Sequence, residues 1–140
     1  GHDTTDRACW IRLQRHVYRH FLDQTPIPAF AGHTPGPETM AAVLPLLEQS
    51  VGLLTLLEGQ AMALAAAPRE PLKRKFVGTW QRLQALWESS AHFNVLGVVW
   101  HTESQDSGRD MAEVRALIAR WRRMFAAWQE LLSSAGTNVE

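Results

Sequence analysis

The segment from Met40 to Ala67 constrains this chain more than any other, because its twenty-eight residues carry two charges, Glu48 and Glu58. Placed at about 100° per residue, its leucines and valines, from Val43 through Leu64, spread over more than half of a helical circumference. A helix apolar that far round has no ordinary solvent face, so it is expected to be the most enclosed element of the fold. The polar positions Glu48, Thr55 and Glu58 fall within about 80° of one another, with Gly52 and Gly59 beside them one heptad apart. That strip is where water or a partner should reach. Each glycine costs about 1 kcal/mol against alanine inside a helix, which a close helix crossing would offset. A membrane span needs about 20 consecutive apolar residues. Glu48, Gln49, Ser50, Glu58 and Gln60 interrupt the run, so no span is expected. Pro45 lacks a backbone donor and places either the helix start or a bend near itself.

The other segments supply partners for this helix. From about Asp6 to Gln24, Trp10, Leu13, Val17 and Phe21 recur at spacings of three and four, predicting a first helix with Thr4, Thr5 or Asp6 as N-cap. Pro26, Pro28, Pro35 and Pro37, with Gly32 and Gly36, make residues 25–37 an irregular crossover. Pro68 and Pro71 close the apolar helix, and Pro71 suits the first turn of a third helix with Phe76, Trp80, Leu83 and Trp87 on one face. Beyond His92 the β-branched residues around Gly97 read as helix bent at that glycine, and residues 101–109 read as a loop. A fourth helix, from about Asp110 to Ser134, aligns Val114, Leu117, Trp121, Phe125, Trp128 and Leu132, and residues 136–140 read as a tail. The expected fold is all-α: a single-domain bundle of four main helices over residues 1–140 with a largely buried second helix.

Bulk properties restrict function without naming it. With 140 residues, 46% of them hydrophobic, the chain is the size of one domain and can bury a core. Lysine and arginine balance aspartate and glutamate at 14 each, so no global field attracts nucleic acid or lipid and any attraction must be local. The single Cys9 excludes an internal disulfide and fits a reducing compartment. Gly1 and His2 in place of methionine read as an appended remnant, and the polar start lacks a signal-peptide pattern; the expected location is cytoplasmic.

No pattern amounts to a catalytic signature. His16 and His20 share a helix face with Asp23 one turn on, and Glu88 and His92 repeat the spacing, but neither pair belongs to a Glu-x-x-His or His-Glu-x-x-His set. Arginines surround the first pair and disfavour a bound cation, so neither metal nor cofactor is expected. Cys9 beside Trp10 reads as a small core residue, and Ser50, Ser89 and Ser90 sit in no nucleophile turn. Glu48 and Glu58 share a strip that is equally a solvent-facing edge, and no catalytic residue is assigned. Of the tryptophans, Trp80, Trp87, Trp121 and Trp128 lie on apolar seams and are expected in the core, whereas Trp10 and Trp100 are less firmly placed and open to a partner.

Directional information lies in the basic residues. Arg12, Arg15 and Arg19 occupy a stretch free of acids, Arg122 and Arg123 form a second group, and Arg69, Lys73, Arg74 and Lys75 cluster at a helix start. There the macrodipole disfavours cations by about 0.3 to 1 kcal/mol each, so local stability does not account for the cluster. A phosphate, an acidic protein face or acids elsewhere in the fold, such as Glu70 or Glu103, would, and free N–H groups at the helix start suit an anion. The sequence therefore predicts a non-enzymatic helical interaction module that presents basic helix faces, and with them the polar strip of Glu48 and Glu58, to another macromolecule, a protein partner in the first reading. The alternative is a nucleic-acid binder with phosphate contacts and little base specificity. A small-molecule or metal-binding bundle at His16 and His20 is weaker, and self-association is open.

Overall fold

The computed structural model describes residues 2–23, 35–107 and 110–138. Among the described residues the fold is all-α, with five helices and no strand: α1 (His2–Asp23), α2 (Pro37–Ala66), α3 (Glu70–Glu88), α4 (Asn94–Ser107) and α5 (Met111–Asn138). The expected crossover falls largely on residues 24–34, outside the described residues.

The fifth helix arises where the sequence suggested a bend. The chain breaks at Ser89–Phe93 rather than at Gly97. Ser89 ends α3 with φ −82° and ψ −8°. Ser90 Oγ then accepts the N–H groups of His92 and Phe93 at 3.1 and 3.2 Å, while its carbonyl accepts Asn94 N–H at 3.0 Å. A serine that satisfies orphan donors starts a new helix. Gly97 instead lies inside α4, buried, where an added Cβ would stand 3.4 Å from Trp87 Cβ. Residues 101–107, expected as loop, continue α4, and residues 136–138, expected as tail, continue α5.

By their contacts the residues fall into two compact units, Gly1–Gln49 with Arg123–Glu140, and Ser50–Arg122, whose boundary falls within α2 and α5. In the first unit Cys9, Trp10, Leu13 and Val17 form the buried row of α1, and Trp10 packs on Trp128 with ring centroids 5.8 Å apart. Trp128 also meets Phe125 edge-on at 5.2 Å. Asp6, expected as a cap for its own helix, instead accepts hydrogen bonds from Gly36 N–H and Thr39 Oγ1. Its carboxylate thus neutralises the start of α2, where a negative charge is favoured.

The second unit is built on tryptophan. Trp100 lies 4.6 Å from Trp80, 5.5 Å from Trp87 and 5.2 Å from Trp121 between ring centroids, and Trp87 stacks on Trp121 at 5.3 Å. Two of the indoles place their N–H: Trp87 donates to buried Ser50 Oγ at 2.8 Å, and Trp121 to Glu103 at 2.7 Å. Trp100 Nε1 is buried without a hydrogen-bond partner. An unmet donor costs about 1–3 kcal/mol, so aromatic packing must offset it here.

Burial of α2 departs from expectation. Val43, Leu47, Ser50, Leu54, Leu57, Ala61 and Leu64 form one buried row at spacings of three and four. Outside that row lie exposed Gly52, Thr55, Gly59 and Ala63, with Leu56 at 45% and Met62 at 54% exposure. Only 28% of its most apolar eighteen-residue stretch is buried. An added Cβ at Gly52 or Gly59 would meet nothing within 4 Å, so these glycines serve no helix crossing among the described residues. Pro45 neither starts the helix nor is enclosed; it lies in the third turn on an exposed position.

Candidate functional site

The buried row of α1 fixes what its opposite side presents. With Cys9, Trp10, Leu13 and Val17 facing inward, residues 12, 15, 16 and 19 share the outward face at spacings of three and four. Arg12, Arg15, His16 and Arg19 line an open concavity of about 420 Å³. Three of the basic residues singled out by the sequence are therefore brought together with a histidine. Its lining is mainly apolar, so the concavity offers apolar surface beside the cationic groups of these arginines. Its outer edge is lightly tied: Arg19 Nε lies 4.0 Å from Asp23 Oδ2, with both side chains more than half exposed. Such a pair holds the guanidinium weakly.

The second basic group stands at the start of α3. Arg69 is its N-cap, with extended backbone at φ −141° and ψ 147° and no side-chain cap, and a proline follows in the first turn. Glu70 in that turn complements the macrodipole and lies 3.7 Å from Lys73 Nζ. Lys73 is thus partly compensated from within the helix, while Arg74 and Lys75 are exposed. The third group divides. Arg122 Nε lies 3.1 Å from Glu58 Oε1, both side chains being about one-third exposed, although its N–H is not aimed at that oxygen. The attraction is Coulombic and ties α5 to α2. Arg123 is exposed.

Candidate nucleophiles and acids take structural positions. Ser50 accepts the Trp87 indole, Ser89 donates to Leu86 O at 3.1 Å, and Ser90 caps α4. Burial pushes the Cys9 thiol up from its ordinary value, the Asp6 carboxylate adds to the rise, and Arg12 opposes it. A neutral buried thiol is a poor nucleophile. Glu58 is engaged by Arg122, and Glu48 is exposed. Glu88 and His92 do not share a helix, because α3 ends at Glu88. His16 is exposed on the concavity, and His20 Nδ1 is buried without a hydrogen-bond partner. Among the described residues no group of three or more His, Cys, Asp or Glu is gathered closely enough to hold a metal ion.

The two tryptophans that the sequence placed less firmly are both in the core: Trp10 is 3% exposed and Trp100 fully buried. Sequence reasoning also missed Glu103, which accepts the Trp121 indole and lies 3.8 Å from Arg120. It sits in the segment expected as loop, so no helical periodicity marked it. Comparison of the chain with known protein families, with curated proteins and with solved structures finds no match.

Proposed function

We propose that this protein is a non-enzymatic helical interaction module that binds an acidic macromolecule through basic helix faces, foremost the α1 face of Arg12, Arg15 and Arg19. The carrying observation is the concavity these residues line with His16. Its apolar lining suits an apolar side chain, and the cationic groups beside it suit acidic neighbours, a combination found on acidic amphipathic segments of proteins. Exposed Arg74 and Lys75, with Arg69 and Lys73, supply a second basic surface at the start of α3. Arg122 contributes less, since Glu58 already faces it.

A nucleic-acid partner is the second reading, favoured by the alignment of Arg12, Arg15 and Arg19 along one helix face, the arrangement of a phosphate track. Such binding would carry little base specificity, because Trp10 and Trp100 are buried and neither can stack on a base.

Fluorescence anisotropy with three labelled probes, a polyglutamate peptide, a single-stranded oligonucleotide and a duplex, separates these readings at two salt concentrations. The expected result is salt-sensitive binding of polyglutamate that falls about tenfold or more in R12A/R15A/R19A, through a slower association rate. K73A/R74A/K75A should keep the fold and lose affinity to a smaller degree. Preferential binding of the oligonucleotides, with the salt slope flattening by about 0.7 to 0.9 per phosphate contact removed, would establish the second reading. If the α1 variant and K73A/R74A/K75A both bind all three probes as the parent does, basic faces are not the binding surface.

A further inference from the structure

The outer face of α2 is exposed, uncharged and regular. Gln49, Gly52, Leu56, Gly59, Ala63 and Ala66 recur at alternating spacings of three and four, the repeat of a two-helix seam. All are exposed, and Leu56 and Met62 are large apolar side chains left about half in solvent. Between Glu48 and Arg69 the charged residue is Glu58, which lies off this seam against Arg122. A helix face of this composition is normally covered. The open space above Gly52 and Gly59 means that no group among the described residues uses the access they give to the backbone.

We propose that this face is covered by α2 of a second copy of the chain, packed antiparallel. The seam is self-complementary in shape. The register that seats Leu56 of one copy over Gly59 of the other also places Gly52 opposite Ala63 and Gln49 opposite Ala66, so no two large side chains face each other along the contact. Its ends are complementary in charge. Exposed Glu48 precedes the uncharged run and exposed Arg69 follows it. In that same register Glu48 of one copy stands opposite Ala67 of the other, where α2 has just ended, and Arg69 follows two residues on in extended backbone, so an acid and a base share each end of the contact by symmetry. A parallel pair would instead set Glu48 against Glu48 and Arg69 against Arg69. Charge therefore selects the antiparallel direction, and the seating of Leu56 on Gly59 is the register proposed for it. The α1 concavity plays no part in this contact, and Arg69 is the residue it shares with the basic surfaces.

Sedimentation of the full chain over a roughly hundredfold concentration range tests this directly. The parent is expected to pass from monomer to dimer. Gly59→Leu fills the hole that receives Leu56 and should abolish the dimer, yet the dilute chain should melt no lower than the parent, because the new side chain enters open space. Glu48→Arg should weaken dimerisation about fivefold to tenfold, as expected for two exposed ion pairs, and E48R/R69E should restore it. A parent monomeric throughout, a Gly59→Leu chain that dimerises normally, or a double reversal no better than Glu48→Arg alone would each overturn the proposal. A monomer that cosediments with phosphatidylglycerol vesicles would assign the face to lipid and overturn it as well. A monomer that still binds polyglutamate through α1 would overturn this contact while leaving the α1 reading intact.

Discussion

α2 and α5 are the two longest helices, of 30 and 28 residues, and they use their sequences in opposite ways. α5 carries Arg115, Arg120, Arg122, Arg123, Glu113 and Glu130, yet buries Leu117, Ile118, Trp121, Met124, Phe125, Trp128 and Leu132. α2 is far more apolar, yet it buries a single row and leaves Leu56 and Met62 substantially in solvent. Average apolarity does not set enclosure. Angular contrast and side-chain size do: bulky residues gathered on one side give α5 a large area to bury, while alanine and glycine on the outer side of α2 leave little for the chain itself to cover.

The largest expected effect lies on α5. Trp121→Ala should destabilise by about 3–5 kcal/mol in chemical denaturation, since it opens a cavity beside Trp87 and Trp100 and strips Glu103 of its indole donor. A loss under about 1 kcal/mol would show that the aromatic cluster collapses freely and that α5 is not the anchoring element. On the inner row of α2, Leu54→Ala is expected to cost about 2–5 kcal/mol, because this side chain is fully buried. Two positions further on, Leu56→Ala should cost less than about 0.5 kcal/mol in dilute solution, where the outer face meets only water. Equal losses at positions 54 and 56 would erase the distinction between the two faces of α2.

Much of the helical framework was legible in the chain. The row Leu117, Trp121, Phe125, Trp128 and Leu132 is buried as its spacing implies, and the start of α3 at Glu70 and Pro71 follows from proline chemistry. Leu54, read as a core residue of α2, is fully buried. The outward position of Arg12, Arg15 and Arg19 also follows from their phase against Trp10, Leu13 and Val17. The break before α4 was less legible, because it depends on Ser90 turning its hydroxyl to two N–H groups, and a serine pair carries that option without declaring it.

The sequence by itself therefore determined the all-α class, the aromatic seams and the phase of the basic α1 face, since these depend on a local period of 3.6 residues. Tertiary structure alone decided which apolar surface found a neighbour. Glu58 became the acid facing Arg122, Asp6 became a cap for a helix thirty residues away rather than its own, and Trp100 entered the core while the outer side of α2 stayed uncovered. Period says which residues share a face, but burial depends on what the rest of the chain can bring against that face. For α2 the described chain brings enough to cover one side, and the other side, uncharged and cut by two glycines, stays exposed.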